Sequence, residues 1–114
     1  MLSRLSLHNL VEEIKQGILT LYREAYSLSH VLDLRGLANN EVCETLRSIG
    51  LSWVIQEAAV LIYEVDTFLL DCGDMLENVL NHRSSPHEML NLLRDLIQRV
   101  LRLHGIMGTN AFIG

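Results

Sequence analysis

The sequence predicts an all-α fold, an antiparallel four-helix bundle. Two segments repeat apolar residues at alternating steps of three and four. Between them lies a long apolar segment bounded by capping and turn residues. Proline occurs once in 114 residues and aromatic residues make up only 5%. With 49% apolar residues, the chain can fold around one core that removes roughly two-thirds of its unfolded surface from water.

The first helix shows the clearest pattern. Leu7, Val11, Ile14, Ile18, Leu21, Ala25 and Leu28 follow one another at 4-3-4-3-4-3. Such spacing places them on one stripe of a helix. Leu10 and Tyr22 widen the stripe beyond a two-stranded seam, which suits a bundle. The opposite face carries Glu12, Glu13, Lys15, Gln16, Arg23 and Glu24. The helix should run from about Ser6 or Asn9 to about Val31, where "DLRGLANN" breaks it. Gly17 costs about 1 kcal/mol of helix propensity relative to alanine. It marks either a close helix crossing or a tolerated surface position. The width of the stripe also suggests self-association: it could serve both a core and a second copy, giving a homo-oligomer.

Asn40 is placed to cap a short helix, Glu41 to Ile49, which Gly50 ends. The next helix should span about Trp53 to Asn81, with a kink or break at Gly73. Trp53, Val54, Ala58, Leu61, Ile62, Val65, Phe68, Leu69 and Cys72 give it a broad apolar face, widened by Ile55, Ala59, Val60 and Leu70. So apolar a helix is expected at the centre, touched on most sides. The last helix opens at "SSPHE", with Ser85 as N-cap, Pro86 at the first helical position and Glu88 two residues further. Met89, Leu93, Leu96, Val100 and Leu103 carry its stripe, and Gly105 is the expected stop. The bundle would then cover residues 1–105, leaving 106–114 as a poorly ordered tail or a stub of a longer chain. Leu21, Ile14, Ile18, Trp53, Leu61, Phe68, Leu93, Leu96 and Val100 should lead the core.

Charge is unevenly spread. The chain carries −5 overall, which argues against nucleic acid and anionic membranes as partners. From Ser48 to His82 the formal charge is −6, with no lysine or arginine between Arg47 and Arg83. Glu57, Glu64 and Asp71 are seven apart and share a helix face to within about 40°. The last helix brings Arg94, Arg99 and Arg102, and a short loop makes it the antiparallel neighbour of the acidic helix. These arginines should neutralise part of the acid. The surplus at Glu57, Glu64, Asp66 and Asp71 would then meet a basic protein surface, although a solvated acidic face is the plainer reading.

Catalytic patterns are missing from the sequence: no glycine-rich phosphate loop, no HExxH and no paired CxxC. His8, His30, His82, His87 and His104 are scattered over different segments. Cys43 and Cys72 have no metal-ligand spacing and suit a reducing compartment. No apolar run is long enough for a membrane span. The expectation is a cytoplasmic, non-enzymatic protein with no cofactor and no metal.

The segment "WVIQEAAVLIYEVDTFLLD", Trp53 to Asp71, resembles one helix of the Rx-type N-terminal coiled-coil domain of plant intracellular immune receptors. That helix has a tryptophan-valine start, an "EAAY"-like stretch, the acidic "EDVID" motif and "TFLL". Matching positions here are Trp53, Val54, Glu57, Ala58, Ala59, Tyr63, Glu64, Val65, Asp66, Thr67, Phe68, Leu69 and Leu70. The acidic motif is shorter here, lacking one acid and its isoleucine. "YREAYSLSH" and "SSPHEMLNLL" look more like the extended N-terminal domains of receptors from the nightshade family. The resemblance covers about a third of the chain. It implies a four-helix domain ahead of a nucleotide-binding switch and leucine-rich repeats. Such domains bind partner proteins or downstream domains, self-associate, or restrain signalling. The other reading is a small stand-alone helical regulator, such as a viral or bacterial adaptor or chaperone.

Overall fold

The structure, a computed structural model, describes residues 4–110. It contains four helices: α1 (Arg4–Val31), α2 (Glu41–Ser48), α3 (Ser52–Leu80) and α4 (Pro86–Asn110). No strand forms among the described residues. The all-α bundle is as the sequence predicts.

Three helices are long and one is short. Glu57 pairs with Arg102 and Glu64 with Arg99, so α3 and α4 run antiparallel. Ile18 and Leu19 lie level with Leu70 and Cys72, while Tyr26 lies level with Asp66, so α3 is antiparallel to α1 as well. It follows that α1 and α4 are parallel, with Glu13 beside Arg94 and Glu24 beside His104. The short α2 makes the turn from α1 into α3. Side by side, the three long helices give a bundle of 53 × 24 × 17 Å.

Local chemistry explains the boundaries. Asn40 takes a hydrogen bond from the Cys43 amide at 3.0 Å and donates from Nδ2 to the Val31 carbonyl at 2.8 Å. One side chain thus caps α2 and ties it to the end of α1. Gly50, at φ +80°, makes the left-handed turn after α2 that a glycine adopts without strain. Ser85 Oγ accepts from the amides of His87 and Glu88 at the start of α4. Gly73 does not break α3, which is continuous through it.

The core is one cluster contributed by all four helices. The α1 stripe is spent on it: Val11, Ile14, Leu21, Ala25 and Leu28 are buried. Ile18 is only partly buried and the flanking Tyr22 is exposed, so only this edge of the stripe is open to a second copy. Of the expected core leaders, Ile14, Leu21, Leu61, Phe68, Leu93, Leu96 and Val100 are buried, whereas Ile18 is only half-buried. Trp53 is 39% exposed, a correction. The inward set on α3 starts at Val54 and continues through Ala58, Leu61, Val65 and Phe68; Trp53 precedes it by one residue and so sits about 100° away. The expectation that α3 is covered on most sides also fails. Val60, Tyr63 and Leu70 are exposed, and the closest helix pair is α1 with α4.

Gly17 lies at that close pair. A Cβ there would collide with Cδ2 of Leu93 and come within 3.1 Å of its Cγ, so Gly17 marks a helix crossing. Beyond Gly105, the expected tail is instead helical as far as Asn110. Met107, four residues past Leu103, extends the α4 stripe and is 1% exposed. The part of the tail from residue 111 to 114 falls outside the described residues.

Candidate protein-binding face

The four acids singled out in the sequence divide between two edges of α3. Glu57, Glu64 and Asp71 occupy the edge facing α4. Asp66, two residues from Glu64 and so about 200° around the helix, faces the segment between α1 and α2.

Three of the four are paired within the chain. Glu64 meets Arg99 Nη1 at 2.6 Å, and Arg99 also approaches Asp95 at 3.6 Å. The Glu64 hydrogen bond, assisted by the charges of Glu64 and Asp95, lifts the Arg99 guanidinium above its ordinary value against a smaller opposing effect of burial. Glu57 meets Arg102 at 3.5 Å. Asp66 is held by Arg35, whose Nη2 lies 3.0 and 3.1 Å from its two carboxylate oxygens. Arg94 does not join α3; it pairs with Glu13 of α1 at 2.7 Å. All these pairs are substantially exposed, so each contributes about 0–1 kcal/mol and orients helices more than it stabilises them. Asp71 has no ion-pair partner among the described residues.

Arg35 is the partner that sequence reasoning missed. It lies in the α1–α2 connection, 31 residues from Asp66. Its only signal was being the one cation between Arg23 and Arg47.

Between α3 and α4 the pairs frame an open groove of about 360 Å³. Phe68, Met75 and Leu96 form its base, and Tyr63 and Leu92 stand at its sides. The Glu64–Arg99 pair and Asp71 also line it. Tyr63 is 74% exposed. An apolar slot with a few fixed polar groups can seat an apolar side chain and set its orientation.

Among the described residues, no three His, Cys, Asp or Glu side chains come together to hold a metal ion. No helix among the described residues is long and apolar enough to cross a membrane. Cys43 is buried and directs its thiol to the Leu32 carbonyl; Cys72 is half-buried, and neither is in a disulfide. Compared with protein-family models, curated proteins and solved structures, the chain matches none.

Proposed function

We propose that this chain is a protein–protein interaction domain whose partners dock on the α3–α4 groove. The observation that carries this reading is Tyr63, largely exposed beside an apolar slot with an unneutralised carboxylate, Asp71, on its lining. Exposed aromatic rings beside apolar pockets are the usual anchors of protein interfaces. Asp71 has no ion-pair partner among the described residues, and Arg99 across the groove is already engaged by Glu64 and Asp95, so a basic partner is favoured. The exposed pairs at Glu57, Glu64 and Asp66 can exchange their arginines for a partner's cations at small cost.

The resemblance over Trp53–Asp71 makes the N-terminal domain of a plant disease-resistance receptor the leading setting. The partner is then a basic surface on the downstream domains or on a separate protein. Two cysteines free of disulfides fit a cytoplasmic location. A stand-alone helical regulator would use the same groove.

The test is a Tyr63→Ala, Asp71→Lys double variant. Both side chains are exposed, so its melting should stay close to wild type. Binding to the domains encoded downstream, or to a purified partner, should fall, with the charge contribution fading as salt rises. A folded variant that binds as wild type does would refute the reading.

A further inference from the structure

The larger exposed apolar area lies across α3 from that groove. Between α1 and α3 runs an open trough of about 640 Å³, whose base is Ile18, Leu69 and Cys72. Its edges are Leu19 and Tyr22 on α1 and Leu70 on α3. A hollow of about 220 Å³ carries the strip on past Tyr26. Leu19, Tyr22 and Tyr26 are each more than half exposed, and Leu70 is 84% exposed. Tyr22 and Tyr26 stack on each other with centroids 6.4 Å apart, which fixes their rings before any partner arrives.

We infer that this face pairs with the same face of a second copy of the chain, about a twofold axis parallel to the helices. The antiparallel course of α1 and α3 makes such pairing self-consistent. Rotation about that axis keeps every residue at its own height and sets α1 of each copy against α3 of the other. Leu19, level with Leu70 within one chain, then meets Leu70 of the second copy. The four facing helices form an antiparallel array around a new apolar seam.

Charge selects this arrangement over its alternatives. Arg35 lines the strip but is already held by Asp66 at 3.0 Å. The other cations beside it are on α1: Lys15, shared with Glu12 at 3.6 Å, and Arg23, which has no ion-pair partner among the described residues. On α3 the neighbours of Leu70 along the helix are Asp74 and Glu77, likewise without a cation partner among the described residues. At equal heights, α1 against α3 sets Lys15 opposite Asp74 and Arg23 opposite Asp66, with Glu12, itself held by Lys15, level with Glu77; setting α3 against α3 would face acid with acid throughout. The area also suffices. Helices overlapping over about 20 residues run about 30 Å, and two side by side are about 20 Å wide. That covers about 600 Å² per copy and about 1,200 Å² in all, the lower end of a specific interface, so the dimer is weak and reversible. This surface is separate from the α3–α4 groove, and its failure would leave the groove's role untouched.

Sedimentation equilibrium over about 5 to about 500 μM, a range that spans a weak dimer, should show the mass rising from one copy toward two. Leu70→Asp should keep the helical spectrum and the melt but weaken pairing by about tenfold or more. Lys15→Glu should weaken it about two- to fivefold, and adding Asp74→Lys, level with Lys15 in the pairing, should restore it. In a Cys72→Ser background, a Leu19→Cys chain mixed with a Leu70→Cys chain should oxidise to a linked heterodimer, and neither should link efficiently alone. A constant single-copy mass would overturn the inference. So would a dimer indifferent to Leu70→Asp, or efficient linking by Leu19→Cys alone, which would set α1 against α1.

Discussion

Gly17→Ala should destabilise the protein even though it improves the helix. Alanine in place of glycine inside a helix is worth about 1 kcal/mol by propensity alone. At Gly17 the added methyl meets Leu93, which is fully buried in α4. A change of Leu93 rotamer could move Cδ2 aside, but Cγ would still lie 3.1 Å away, so α1 and α4 must separate slightly. Overpacking of this kind costs about 1–3 kcal/mol. The net is a loss of about 0–2 kcal/mol. Gly105→Ala and Gly73→Ala are the controls, because both glycines are helical, exposed and have nothing within 4 Å of the added Cβ. Those two should gain about 1 kcal/mol. The difference between Gly17→Ala and its controls isolates the crossing, at about 1–3 kcal/mol. In a chain of this size each kcal/mol moves the melting temperature by about 4–8 °C. Thermal melts followed by circular dichroism at low concentration, with urea midpoints as a cross-check, give the answer. Equal stabilisation at all three glycines would refute the tight crossing.

Phe68→Ala and Leu61→Ala should each cost about 2–5 kcal/mol in urea titrations, whereas Glu12→Ala should stay within about 0.5 kcal/mol. Trp53→Ala should cost less than Phe68→Ala despite the larger ring, since Trp53 keeps 39% of its surface in water. Asn40→Ala should cost about 0.5–2 kcal/mol through the lost cap of α2, and more if the bond to the Val31 carbonyl also counts. Arg35→Ala should cost at most about 1 kcal/mol, and the loss should shrink as salt is raised; a loss insensitive to salt would mean that Arg35 acts by packing instead.

Much of the fold was legible because its signals are local. The 4-3 spacing on α1 and α4, the cap at Asn40 and the "SSP" start of α4 each fix an element within a few residues. Met107 was legible too, as the next step of the α4 stripe, but Gly105 masked it. Trp53 shows where pattern fails: a large apolar ring one residue off the inward set is not core, and hydrophobicity alone does not say so. The candidate site was less readable. Acid on α3 and arginine on α4 predicted the pairs of Glu64 and Glu57. Which arginine reaches which acid depends on helix rotation and register, so Arg94 went to α1 and Arg35 arrived from a connection. Asp71 stands apart only once the other pairs are known.

The close union of α1 with α4 also sets an order of events. Its ion pair joins residues 81 positions apart, so α1 cannot make this contact until synthesis has passed Arg94. At about 5–20 residues per second, that is a wait of about 4–16 s during synthesis. The α3–α4 hairpin closes over a short loop and needs no such delay. Pulse-labelled hydrogen exchange during refolding should therefore protect α3 and α4 before α1; early protection of α1 would contradict this order. Until α4 arrives, the buried stripe from Val11 to Leu28 is an open adhesive surface on the nascent chain, and of these four helices the earliest made is the last to find its place.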